Sequence, residues 1–236
     1  MPEKIQILTS PQRDQIQIVH QIFYDMALET ETNEVCLRNA EAAAERLTRG
    51  TLMPGYQVVW VGNLKQGEAR YHMRLRETFG SLGLTDSMYD AISRALQVEA
   101  SDHIKDNKKA ALCDLVYQRV SRECYNEGYN INVELTNELT PIRSQGKLAS
   151  STVLNLVDDL PWAAECSYWA RTLPEGCGVD LALWITAVHD FFEAAHALWV
   201  LPGEIIICKK PVQVTTDSSE GRLIEMHWTP IPNAEA

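Results

Sequence analysis

The hydrophobic period of this chain changes near Pro202-Gly203, and that change restricts its fold more than any other feature. Before it, apolar residues recur every three or four positions, as on one face of a helix. After it they fall into short β-branched runs at 204–208, 212–216 and 222–228, separated by Pro211 and by Asp217-Ser218-Ser219-Glu220-Gly221. Helices gathered early and strands gathered late specify an α+β arrangement rather than an alternating one.

Ser10-Pro11 reads as a helix start, and Ile16, Val19, Phe23 and Ala27 then share one helical face. A second helix opens at Asn33, carries Val35, Leu37, Ala40, Ala44 and Leu47 at helical spacing, and stops at Gly50. The run 56–61, bounded by Pro54-Gly55 and Gly62-Asn63, reads as a buried strand. Helical spacing returns over 65–80, 85–98 and 102–125, whereas 126–150 is polar and turn-rich. Another helix is expected near 151–171, interrupted around Asp159-Leu160-Pro161, and Asp180 reads as the N-cap of a long helix through Trp199. The prediction is one mainly helical α+β domain over 1–236, with a soft division near 126–150 and a small antiparallel sheet formed largely by the C-terminal strands.

Composition narrows the function classes. The 236 residues hold 21 Lys+Arg against 32 Asp+Glu, a net charge of −11, which argues against a nucleic-acid backbone as partner because phosphate binding needs basic surface. A hydrophobic share of 45% excludes a chain too polar to offset its ordering entropy. No apolar run approaches the roughly 20 residues that span a bilayer. The N-terminus has neither a basic nor an apolar leader region, so the expected location is cytoplasmic, with no membrane partner. Cys36, Cys113, Cys124, Cys166, Cys177 and Cys208 form no C-x-x-C pair and read as free thiols in a reducing compartment.

The stretch 151–236 is the acidic part of the chain and carries five of the six tryptophans. Trp184, Trp199, Asp158 and Asp159 are therefore the candidate binding residues for a protein or peptide partner, although Asp158-Asp159 before Leu160-Pro161 also has the form of a helix cap. The basic stretch Lys65, Arg70, His72, Arg74 and Arg76 is a solvated helix face, a surface for an acidic partner, or a match for the acidic C-terminal third. Such segregated charge beside tryptophans is also compatible with a homo-oligomer.

The strongest chemical pattern is His189-Asp190-Phe191-Phe192-Glu193-Ala194-Ala195-His196. On one continuous helix, His189, Glu193 and His196 stand at i, i+4 and i+7 and project from one side. Imidazole and carboxylate there would suit a divalent transition metal, the one cofactor the sequence points to. The alternative is the polar edge of an amphipathic helix whose stripe is Trp184, Ile185, Val188, Phe192, Ala195 and Trp199. A second Glu-x-x-His is absent, as are His-Glu-x-x-His, G-x-S-x-G, a P-loop and G-x-G-x-x-G. Gly62–Gly67 reads as a plain strand-to-helix turn.

The pattern resembles an uncharacterised bacterial family of unknown function, whose members are sometimes attached to leucine-rich repeats. The residues that carry the resemblance are Gln12, Phe23-Tyr24, Ala27-Leu28-Glu29-Thr30-Glu31 and Val58-Val59-Trp60-Val61 early. Late in the chain they are Trp184, Phe191-Phe192, Trp199-Val200-Leu201-Pro202, Ile206-Ile207-Cys208-Lys209-Lys210-Pro211 and Gly221-Arg222-Leu223. The family places Ser-Pro after the early strand, where this chain has Asn63-Leu64, and His after Gly-Arg-Leu, where this chain has Ile224. The resemblance implies a shared fold and no catalytic residues.

Two functional expectations follow. The first is a non-enzymatic binding or accessory protein for a protein or peptide. The second is a metal-dependent enzyme that uses His189, Glu193 and His196 to activate water or oxygen, with Asp158 or Asp159 as an added acid.

Overall fold

The computed structural model describes residues 10–30, 32–48, 52–80, 82–96, 154–156, 159, 163–164, 166–168, 171, 179–216 and 223–228. The helices expected at 102–125 and the polar stretch 126–150 lie outside the described residues, and so does Asp158.

Helix α1, Ser10–Leu28, buries Ile16, Val19, Phe23, Met26 and Ala27 along one face. Helix α2, Glu34–Leu47, begins where the sequence places it: the Asn33 side chain accepts the backbone N–H groups of Val35 and Cys36, both at 2.9 Å. Its buried residues Ala40, Ala43 and Ala44 are small and let it lie close to a later helix. Strand β1, Gln57–Val61, leads through Gly62-Asn63 into helix α3, Leu64–Gly80. Two side chains cap that helix reciprocally: Asn63 Oδ1 accepts Gln66 N–H at 2.9 Å, and Gln66 Oε1 accepts Gly62 N–H at 2.7 Å. Residues 86–96 are helical and are tied to α3 by the Tyr71 hydroxyl, which donates to the Ser93 carbonyl at 3.3 Å.

In the C-terminal half, β2, Leu154–Asn155, is a short strand inside the stretch expected to be helical. Helix α4, Val179–Ala194, ends well before Trp199 and runs directly into β3, Ala195–Leu201. This corrects the expected long helix. All seven residues of β3 are buried, and a run apolar on every side has no period to distinguish strand from helix. The pairing partner decides instead: β3 turns at Pro202-Gly203 and pairs antiparallel with β4, Glu204–Lys209.

The sheet order is β1-β4-β3-β2, with β1 parallel to β4 and the other pairings antiparallel. The strands β5, Gln213–Thr216, and β6, Leu223–His227, form a separate antiparallel pair. The fold class is α+β as expected, but the main sheet recruits β1 from the N-terminal half, in parallel, instead of β5 and β6. Alternation along β3 and β4 divides the core. Leu198, Val200, Ile205 and Ile207 face α1, α2 and α4, whereas Ala197, Trp199, Leu201, Ile206 and Cys208 face α3.

Candidate functional site

The expected metal triad is dispersed. Because α4 stops at Ala194, His196 belongs to β3 and the i, i+4, i+7 helical face does not form. His189 packs edge-on against Phe23 of α1, with ring centroids 6.4 Å apart. Glu193 is half-buried, and its charge acts on Lys210. His196 is buried and meets the Trp228 ring edge-on at 5.1 Å. Among the described residues, no group of three or more His, Cys, Asp or Glu is placed to hold a metal ion.

The candidate binding tryptophans lie in the core. Trp184 is buried beside α1 and α2, and Trp199 is fully buried against α3. Asp159 accepts the Asn155 backbone N–H at 2.9 Å, four residues back along the chain. Two residues of the basic stretch reach the sheet. Arg70 grips Glu204 with two bonds, at 2.6 and 3.1 Å, and Arg74 adds a third at 3.0 Å. The Glu204 carboxylate belongs to the acidic C-terminal third, so that match is made within the chain. Arg76 is 3.8 Å from Asp86 and Arg74 is 2.7 Å from Glu77, which leaves no free run of positive charge on α3.

Two buried basic groups, His196 and Lys210, lie where β3 and β4 meet the helices. His196 is the extra residue of a β-bulge, since Ala195 pairs with Lys209 and Ala197 with Cys208. Its Nδ1 has no hydrogen-bond partner among the described residues, and burial, then the Lys210 charge, lowers its pKa from 6.5 to about 3. The Lys210 ammonium donates to the Met26 carbonyl at 2.6 Å, satisfying the last turn of α1, and lies 3.7 Å from Glu29. Burial lowers its pKa from 10.5 to about 8, against the opposing pull of Glu29 and Glu193. Burial also drives the Cys208 thiol well above its ordinary range, which makes it an inert core thiol.

On the outer side of α3, an open groove of about 610 Å³ is lined by Ala69, His72, Met73, Arg76, Glu77 and Asp90. The more ordered surface feature is the outer edge of β1. Gln57 N–H donates inward to Gly203 O at 3.0 Å, and the parallel register continues from Gln57↔Glu204 to Val61↔Cys208. Backbone groups alternate in direction along a strand, so Gln57, Val59 and Val61 address β4 whereas Val58 and Trp60 point outward. The outward row is closed at both ends: Tyr56 N–H donates to Met53 O at 3.3 Å, and Gly62 N–H to Gln66 Oε1 at 2.7 Å. Between those closures, the N–H and C=O groups of Val58 and Trp60 have no partner among the described residues. Sheet-edge groups like these pair readily with another strand.

Helix α2 places two carboxylates along this edge. Glu41 accepts the Trp60 indole N–H at 2.6 Å. Glu45 lies near the Tyr56 hydroxyl, and its influence is the main reason the phenol pKa is raised. Nothing in the sequence marks this site except the strand itself, because an edge exists only once the strand order is known.

Comparison with protein-family models, curated proteins and solved structures finds no match to this chain.

Proposed function

We propose that this chain is a non-enzymatic binding or accessory protein that recognises a protein or peptide partner, and that the partner docks on the edge of β1. The observation that carries the reading is the pair Val58 and Trp60, whose outward backbone groups have no partner among the described residues while their neighbours at both ends are closed. Adding a strand there supplies main-chain hydrogen bonds for affinity, with pockets on either face to select side chains. The half-buried side chains of Val58, Val59 and Trp60 supply apolar contact on both faces. The reactive side chains offer less support for catalysis: His189, Glu193 and His196 do not share one helical face, and Cys208 is held as a neutral thiol.

The test is selection of peptides from a random displayed library on the native chain and on Val58→Pro. The Val58 N–H faces outward, so proline there removes an edge donor without breaking the ladder to β4. The expected result is a set of binders that protect the Val58 and Trp60 amides from hydrogen exchange and lose affinity on Val58→Pro. Binders indifferent to that change, or no binders, would refute the reading.

A further inference from the structure

We infer that the segment accepted by the β1 edge is basic: an extended, β-branched strand with Lys or Arg at alternate positions, on the side facing α2. This inference rests on the edge reading above and adds the chemistry of the occupant. Glu45 lies near Tyr56 just before β1, and Glu41 is held by Trp60 near its end, so the two carboxylates follow the strand in order. They are one helical turn apart on α2, a rise of about 6 Å. Alternate residues of an added strand are separated by about 6.6 Å. Two basic side chains at i and i+2 therefore match the pitch of the two carboxylates.

The hydrogen bond from Trp60 holds Glu41 before any partner arrives, which lowers the ordering cost of binding. Arg38 lies one turn beyond Glu41 on the same side of α2, and Glu34 one turn beyond that, so the stripe is acidic in balance with one positive position. A net charge of −11 favours approach of a basic segment from a distance. The same charges disfavour the simplest competing occupant. A second copy pairing β1 with β1 would bring its own Glu41 and Glu45 to an edge that already carries two carboxylates, and like charges placed together select against that pairing.

The experiment compares three synthetic peptides with one Val/Thr strand pattern and Lys, Gln or Glu at the alternate positions. Binding is read by fluorescence anisotropy at low and high salt. The proteins are the native chain, Val58→Pro, and the double variant Glu41→Gln with Glu45→Gln. Glutamine keeps an acceptor oxygen for Trp60, and far-UV circular dichroism checks that each chain is folded. A Lys peptide N-methylated on alternate amides removes edge bonding without altering the protein.

The expected result is that the Lys peptide binds about tenfold tighter than the Glu peptide at low salt, with the Gln peptide between them. The gap should close in the double variant and at high salt, and binding should be lost on Val58→Pro or N-methylation. Equal affinity for all three peptides, each lost on Val58→Pro, would overturn the basic occupant and leave the edge reading standing. Failure of all three peptides to bind would overturn both. Tight Lys-peptide binding that survives Val58→Pro and N-methylation would place the attraction elsewhere and overturn the inference. A dimer of the free chain that Val58→Pro dissociates would give the edge to a second copy, with the same consequence.

Discussion

Gly67 allows α3 to approach the sheet. A Cβ at this position would sit 2.3 Å from two ring carbons of Trp199, and that ring is fully buried in the core. Gly67→Ala is expected to lower stability by about 2–3 kcal/mol, as overpacking of a filled core does. Combined with Trp199→Phe, the two losses should sum to clearly less than the separate values, because the smaller ring vacates the contested space. Urea unfolding of the four chains measures this, and additive losses would show that the clash is not the cause. His196 and Lys210 govern pH dependence. His196 takes a proton near 6.5 when unfolded and near 3 when folded, so between those values the unfolded chain binds the extra proton. Stability therefore falls as pH falls through that window, by up to about 1.4 kcal/mol per pH unit. Lys210 has the same sign in a different window, since its folded value of about 8 lies below 10.5 and its contribution grows as pH rises between them. Replacing His196 by Gln should make the loss of stability from pH 7 to pH 5 smaller by about 2 kcal/mol. An unchanged slope in urea unfolding would contradict this account of the buried imidazole.

Individual elements divide into those with local causes and those without. Helix α2 could be read directly because Asn33 caps it and its apolar residues follow one period. Asn33→Ala is expected to lower the unfolding free energy by about 1 kcal/mol, read from the shift in the urea midpoint. Strand β1 could be read for a similar reason, being short, β-branched and bounded by Pro-Gly and Gly-Asn. The join between α4 and β3 could not. Ala195–Leu201 has no polar side, so only its pairing with β4 selects the extended form. The hold of α3 on the sheet depends on charge as well as on Gly67. The Glu204 side chain is 6% exposed while its partners Arg70 and Arg74 are 27% and 39% exposed, so loss of an arginine strands a nearly buried carboxylate. Arg70→Met, which removes two of the three bonds, is expected to cost about 2 kcal/mol, and Arg74→Met less, after allowance for solvent screening. The reverse order in thermal unfolding would contradict the bonding geometry.

At the scale of the fold, the described residues centre on a sheet covered on both faces, with β3 and β4 in its middle. Amides of these two strands are expected to exchange only through global unfolding, while β1 should show slow exchange at Val59 and Val61 and fast exchange at Val58 and Trp60. Uniform protection along β1 in native-state hydrogen exchange would contradict an open edge. The amino-acid order was sufficient for the α+β class, the capped helices, the β1 run and the late strands, since each rests on contacts within a few residues. It was equally sufficient for the charge segregation that Arg70, Arg74 and Glu204 turn into a clamp. Assembly in space settled the rest: which strands share a sheet, that Trp184 and Trp199 are core, that His196 leaves the helix, and that β1 is an edge strand among the described residues. Those outcomes depend on partners from about a dozen to more than a hundred positions away, and no local period or propensity encodes which partner a buried segment meets.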